Sequence, residues 1–341
     1  MRNMMGKNLI HRVHKRISDT KKAFRSDCCF SFWYACLRVL DELGGRIGMK
    51  KISAWAHERK DRWIQNYLKQ DILLVIEKYT DNLDYGSPDP NAPIWVCWWS
   101  GLNYAPELVR ICVESTYQNA GNHPVHLITE ETYQNYLEIP GYMLEKVESG
   151  KMGFAHLADY IRVKLLADYG GLWLDATIFC SGRIPDICFD LPVFTCKGPV
   201  RKGHYLSDYR WVTFCLGGWR ENVFYRILAE VFETYWSKNK YAVDYLFFDH
   251  IILSIYEQHP VVRKLLDDIP DNNIHRDDLQ AAMNAALPAK EFGRVLHEDT
   301  VLYKLSWREI YSEFTEDNSD SIFRYFLQMG REWSGLTSGA N

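Results

Sequence analysis

Tyr169-Gly170-Gly171-Leu172-Trp173-Leu174-Asp175-Ala176-Thr177-Ile178-Phe179 decides the fold, read together with Asp159 and Arg162 upstream of it. The stretch reads as the end of a helix, a glycine turn and a buried strand whose apolar run presents one carboxylate, Asp175. A buried charge without a partner is costly, so Asp175 requires one. Divalent metals and metal–polyphosphate complexes prefer hard oxygen ligands and are the natural candidates. Asp159 and Arg162 lie three apart on the preceding helix, expected over Ala155–Tyr169, and so share a face. Alone they would be an ordinary surface ion pair; beside the strand carrying Asp175 they converge with it on one site.

The flanking segments alternate in the same way. Ile94 to Trp99 is a continuous apolar run between Pro93 and Ser100-Gly101, the pattern of a buried strand that opens a parallel sheet. A helix is expected over Pro106–Asn119, a strand over Val125–Thr129, a helix over Glu130–Leu137 and a strand over Leu172–Phe179. Further strands are expected near Val193–Lys197 and Val212–Leu216, and helices over Glu221–Trp236 and Val243–Gln258. Strand–helix alternation implies an α/β fold, an open and mostly parallel sheet flanked by helices. Ligands in such sheets bind outside the carboxyl ends of the strands, where Asp175 stands. Residues 1–80 read as helical throughout, and Asp81 to Pro93 reads as a linker. The expected division is a helical N-terminal extension over 1–85, the α/β domain over 91–311 and a C-terminal helical tail over 312–341.

The 341 residues are 47% hydrophobic and 25% charged, the usage of an ordinary globular protein. Net charge is −4, yet residues 1–25 carry eight Lys or Arg against the single acid Asp19. A basic arm on an acidic body argues against nucleic acid as a partner and allows a local contact with a membrane surface. The nine cysteines are scattered and form no CxxC pair, so neither a zinc site nor a thiol redox motif is indicated. Free thiols inside apolar runs suit the cytoplasm. Cys28 to Leu37 is apolar but only half the ~20 residues needed to span a bilayer, and no small-residue cleavage site follows it. Two readings stay open for this segment: a helix that lies on the inner face of a membrane, through residues 1–40, or one that packs on its own domain. No GxGxxG or P-loop is present.

Ala155-His156-Leu157-Ala158-Asp159-Tyr160-Ile161-Arg162, followed by the Tyr169–Thr177 stretch, resembles the capsular polysaccharide synthesis protein family. Ile94–Gly101 and Leu302-Tyr303-Lys304-Leu305-Ser306-Trp307 support the resemblance over roughly residues 91 to 311. The resemblance implies a glycosyltransferase of GT-A fold, distantly like glucosylating toxins, with a DXD-type sugar-binding region. It implies that Trp98 stacks on the uracil of a UDP-sugar, with Gly101 counted among the substrate-binding residues. Asp159 and Arg162 would hold the sugar hydroxyls and the diphosphate, with Gly170 and Gly171 counted in the same substrate-binding motif. Asp175 matches the first Asp of DXD, implying a catalytic role and ligation of Mn²⁺ or Mg²⁺. Thr177 replaces the second acid, a version that the capsular subfamily resembles; it is counted among the substrate-binding residues and can offer a neutral oxygen or bind the metal through water. Ser306 and Trp307 look like lid residues over the diphosphate. The resemblance further implies retention of anomeric configuration, a hexose or N-acetylhexosamine donor, and a glycan or lipid-linked acceptor. Asp249, in a helical run, is the best candidate to face the acceptor or the reacting carbon, with a plain helix acid as the other reading. The rival from another class is a catalytically silent nucleotide-sugar-binding assembly subunit.

Overall fold

The computed structural model describes residues 23–79, 85–201, 205–286 and 293–337. All but residues 23–25 of the basic arm lie outside the described residues. After a helical stretch over 23–27, the described residues form two longer helices, α1 (Phe32–Arg46) and α2 (Lys50–Glu77). The α/β body follows with β1 (Ile94–Cys97), α3 (Glu107–Asn119), β2 (Val125–Ile128), α4 (Gly141–Glu148), α5 (Phe154–Tyr169), β3 (Gly171–Asp175) and β4 (Ile178–Cys180). Then come α6 (Ile187–Asp190), β5 (Val193–Thr195), β6 (Cys215–Gly218), α7 (Val223–Lys238), α8 (Phe247–Gln258) and α9 (Pro260–Asp267). The chain closes with α10 (Asp278–Ala282), β7 (Leu302–Lys304) and α11 (Ile322–Thr337).

The central sheet has the order β2-β1-β3-β6-β5. Strand β1 pairs in parallel with β2 and β3, while β6 is antiparallel to both β3 and β5. Every strand except β6 therefore runs the same way, and the sheet is open, mostly parallel and covered by helices on both faces. Side chains alternate across it. Trp95 and Trp173 enter one core with α2, α5, α7 and α8. Ile94, Val96, Leu172 and Leu174 enter the other, with α3 and α11. The β1–β3 register sets Cys97 opposite Asp175, so the residues that follow β1 emerge beside that carboxylate.

Ile64, Leu68, Ile72 and Val75 of α2 share the core that contains Trp95 and Trp173. The expected boundary at 81–93 thus joins elements with a common interior. At the other end, Ile322, Phe326 and Leu327 of α11 lie in the opposite core, and a Cβ on Gly330 would collide with Ile111 of α3.

Three expected elements take a different form. The strand expected over Leu172–Phe179 breaks at Ala176-Thr177 into β3 and β4, which belong to different sheets. Strand β4 pairs antiparallel with β7, setting Ile178 opposite Lys304. The helix expected over Glu130–Leu137 is only a 3₁₀ turn at Tyr133–Asn135. Thr132 Oγ1 accepts from Thr129 N–H (2.9 Å) and donates to Leu127 C=O (2.9 Å), holding the chain in a tight turn, and a separate helix starts after Pro140. The strand expected from Val212 starts at Cys215, because Val212 N–H and C=O are both engaged by the Thr195 hydroxyl at 3.0 Å.

Gly170 and Gly171 have positive φ of 66° and 94°. A Cβ on Gly170 would lie 2.7 Å from Gly218 C=O, and one on Gly171 would lie 3.0 Å from the Pro93 carbonyl carbon. The pair lets α5 turn directly into β3 with backbone pressed on both sides. It sits at the opposite end of β3 from Asp175, about 13 Å away at strand rise.

Candidate active site

A cleft of about 380 Å³ opens at the carboxyl ends of β1 and β3. Trp98, Asp159, Arg162, Asp175, Thr177, Asp249, Ser306 and Trp307, eight residues from five separate parts of the chain, all line it. Gly170 and Gly171 do not. Their role is the turn just described, which corrects the expectation that they bind substrate. Gly101 does not line the cleft either. It takes φ 76° in the turn after β1 and donates its N–H to Trp98 C=O at 2.9 Å.

Asp175 is the centre of the site. Its Oδ1 accepts from Trp173 Nε1 at 3.0 Å and from Arg162 Nη2 at 3.2 Å, and its Oδ2 accepts from Lys304 Nζ at 3.0 Å. Burial works against the charge. Lys304, Arg162 and the Trp173 hydrogen bond outweigh it and hold the carboxyl below the ordinary carboxylate range. Arg162 is itself 5% exposed. It reaches Asp159 Oδ1 at 3.3 Å, donates to Thr213 C=O, and lies over the rings of Trp173 (4.9 Å) and Phe248 (5.5 Å). Packed on two rings, the guanidinium is fixed in orientation before any ligand arrives.

Lys304 is the residue that sequence reasoning missed. From β7 it donates to Thr177 Oγ1 at 2.7 Å as well as to Asp175, bridging the first and third positions of the Asp-Ala-Thr motif. The available signal was a lone cation between buried Tyr303 and Leu305, the counterpart of the lone acid on β3. What could not be read was that β7 pairs with β4.

The two tryptophans after β1 diverge, as adjacent residues in extended chain must. Trp99 stacks on Tyr133 at 5.3 Å. Trp98 faces the cleft and meets Trp307 edge-to-face at 5.9 Å. Its indole Nε1 is buried with no hydrogen-bond acceptor among the described residues, and Arg162 Nε is in the same condition. Each is a buried donor whose hydrogen-bonding capacity is left open beside the cleft.

Asp249 lies in the first turn of α8, and its Oδ1 accepts from Trp211 Nε1 at 3.0 Å. Burial pushes its carboxyl up to about 6; the Trp211 bond and Arg162 oppose this, and the charge of Asp159 adds to it. A second cavity of about 300 Å³ adjoins the cleft, sharing Thr213, Leu246 and Asp249 with it. Tyr205, Tyr209, Trp211 and Phe214 supply its aromatic walls, and Arg276, 5% exposed, lines it too.

The donor set does not fit Mn²⁺ or Mg²⁺ as arranged. The motif positions offer one carboxylate whose two oxygens already accept from cations and an indole, and one hydroxyl that accepts from Lys304, while the other cleft carboxylates are held by Arg162 (Asp159) and Trp211 (Asp249). Such ions want several oxygens with net negative charge. Here an ammonium already bridges Asp175 and Thr177. Elsewhere among the described residues, His275, Asp278 and His297 are grouped closely enough to hold a metal, but none of them lines the cleft.

Residues 46–326 match the model of the capsular polysaccharide synthesis protein family, beyond both limits of the 91–311 span carried by the sequence motifs. The chain is also 24% identical over 158 residues to the O-glycosyltransferase braB of Annulohypoxylon truncatum. That alignment covers 42% of this chain and 37% of the relative, so the chain spans well under half of that protein's length. Among solved structures, the PaToxG glycosyltransferase superposes with a TM-score of 0.32 and 12% identity over 60% of this chain and 88% of the other. That likeness is too distant to bear on the site. With the family model spanning most of its length, this chain belongs to the capsular polysaccharide synthesis protein family.

Proposed function

We propose that the chain is a glycosyltransferase that moves a hexose or N-acetylhexosamine from a UDP-sugar to a glycan or lipid-linked acceptor in surface polysaccharide assembly. The observation that carries this reading is the pair of fixed cations, Arg162 and Lys304, held by Asp175 at the floor of a cleft with an aromatic at its rim. The family membership and the curated glycosyltransferase relative support it.

In this reading the diphosphate sits over Arg162 and Lys304, and the uracil stacks against Trp98. The bond between sugar C1 and the diphosphate oxygen breaks, and its electron pair stays on the diphosphate. The two cations stabilise the negative charge as it grows there, without reorganising. An acceptor hydroxyl oxygen forms the new bond to C1 on the face the diphosphate leaves, and its proton passes to the departing phosphate oxygen, giving retention. Asp249, between the cleft and the aromatic second cavity, accepts a hydrogen bond from a neighbouring hydroxyl of the acceptor sugar and so orients the reacting one. Tyr205 and Tyr209 provide ring faces for the acceptor sugar. Ser306 and Trp307, on the loop after β7, cover the diphosphate and keep water from taking the sugar.

Binding alone separates this from an unrelated pocket. Titration calorimetry is expected to show UDP binding to the full chain, weakened about tenfold or more in Trp98→Ala, as loss of one stacked base costs about 1–3 kcal/mol. UDP-blind protein, or equal affinity in the variant, would remove the donor assignment.

A further inference from the structure

Helix α1 has two faces with different surroundings. Tyr34, Ala35 and Leu37 are fully buried against the body, and the Tyr34 hydroxyl donates to Val243 C=O. On the other side Phe32, Trp33, Leu40, Leu43 and Ile47 fall within about 100° of arc at helical spacing. They stand in solvent: Phe32 is 69% exposed, Ile47 66% and Trp33 53%. Met49, Ile52 and Trp55 continue the exposed strip through the turn into α2. Single exposed apolar residues are ordinary, but a contiguous strip of this size marks a surface that is covered in use.

Charge indicates what covers it. Exposed Arg46, Lys50 and Lys51 border the strip, Arg46 paired with exposed Glu42, and the sequence leading into α1 carries eight Lys or Arg in residues 1–25 against Asp19. The chain as a whole is −4, so the sequence that leads into α1 is basic on an otherwise acidic chain. No helix among the described residues is long and apolar enough to cross a membrane.

We infer that the α1–α2 corner is a docking surface for an anionic lipid bilayer, with α1 lying in the interfacial plane. Its exposed rings and aliphatic chains enter the headgroup boundary while the flanking Lys and Arg meet the lipid charges. Both readings left open for the Cys28–Leu37 segment then apply, one to each face of the same helix. The Tyr34–Val243 bond ties α1 to the segment that carries Tyr245 and Leu246, which line the cleft. Docking therefore fixes one lip of the cleft relative to the bilayer, the arrangement a lipid-linked acceptor requires. The surface argument itself is independent of the sugar-transfer reading.

The test is sedimentation of the full chain with vesicles containing phosphatidylglycerol, with vesicles of phosphatidylcholine alone, and with the former at high salt. The wild type should bind the anionic vesicles and lose most of that binding in high salt. A Phe32→Ser/Leu43→Ser/Ile47→Ser variant should lose about tenfold or more in vesicle affinity while its UDP binding and thermal midpoint stay unchanged. Three results would overturn the inference: no binding of wild type to anionic vesicles, equal binding by the triple variant, or a wild-type dimer without vesicle binding that the triple variant dissolves. The last would assign the strip to a second copy of the chain.

Discussion

Lys304→Met is expected to lower turnover about 10³-fold, the scale seen when one preorganised charge or donor is removed from a developing anion. Methionine keeps most of the apolar stem of Lys304, so the packing beside Phe214, whose ring centre lies 5.0 Å from Nζ, changes little. What goes is the ammonium that bridges Asp175 and Thr177. Two consequences follow. UDP affinity falls along with turnover, because the ground-state diphosphate meets the same cation. And Asp175, freed of Lys304 on Oδ2, gains an open carboxylate oxygen beside a free Thr177 hydroxyl. The variant is therefore expected to regain part of its UDP affinity when Mn²⁺ is added, whereas the wild type is unmoved by Mn²⁺ or by EDTA. Calorimetry with UDP, with and without the ion, reads this directly. A wild type whose UDP binding depends on Mn²⁺ would show that the ion displaces Lys304 and that the cation of the site is the metal.

Asp249→Asn is expected to be both much slower and more stable. Asparagine is close in shape and still offers an oxygen to Trp211 Nε1, but it brings a donor where the neighbouring hydroxyl of the acceptor sugar needs an acceptor. Transfer should fall about 10²-fold or more. Stability moves the other way. A carboxyl whose pKa rises from 3.8 to about 6 on folding contributes its full stabilisation below the unfolded value and loses it as the pH climbs through about 6. Above that, the folded protein must ionise a group it has largely desolvated. The wild type carries this penalty at pH 7.5 and the variant does not. The gain is about 2 kcal/mol, somewhat under the full two-unit value because the carboxyl reaches the cleft. Thermal or urea unfolding at pH 7.5 and at pH 4 checks it: the variant should lead at the higher pH and be level with the wild type at the lower. For the wild type, turnover should fall as the pH drops through about 6. A flat profile between pH 5 and 8 would place the Asp249 charge outside the reaction, and a destabilised variant at pH 7.5 would show that ionised Asp249 carries no folding penalty.

Much of this site was legible because it is local. Asp159, Arg162 and Asp175 lie on one helix–turn–strand unit, and the spacing of that unit alone brings two of the three onto a common face. Trp98 was legible from adjacency, since Trp98 and Trp99 had to diverge. Gly170 and Gly171 were legible as a turn, but their chemistry was misassigned: a glycine pair beside a functional carboxylate looks like a ligand cradle, whereas here the two positive-φ residues make room for Gly218 and Pro93. Lys304 was not legible as a site residue. It reaches Asp175 across 129 positions of sequence, through a two-stranded pairing of three-residue strands. Such short strands carry almost no periodic signal, and their register is set by the tertiary packing of β4 against α3 and α11 rather than by local pattern. The same holds for Trp211, whose bond to Asp249 joins a loop to a helix start, and for the amphipathic α1, whose inner face is defined only by what packs on it.

The central claim is transfer of a sugar from a nucleoside diphosphate by the Asp175-centred cation pair. UDP release from a panel of UDP-sugars, in EDTA and in Mn²⁺, by the wild type and by Asp175→Ala, tests it most directly. The account predicts turnover of one donor, unchanged by EDTA and absent in the variant, where Arg162 and Lys304 lose the carboxylate that fixes them. Tight UDP binding without turnover of any donor, with glycan and lipid-linked acceptors both supplied, would contradict it and leave a nucleotide-sugar-binding subunit in its place.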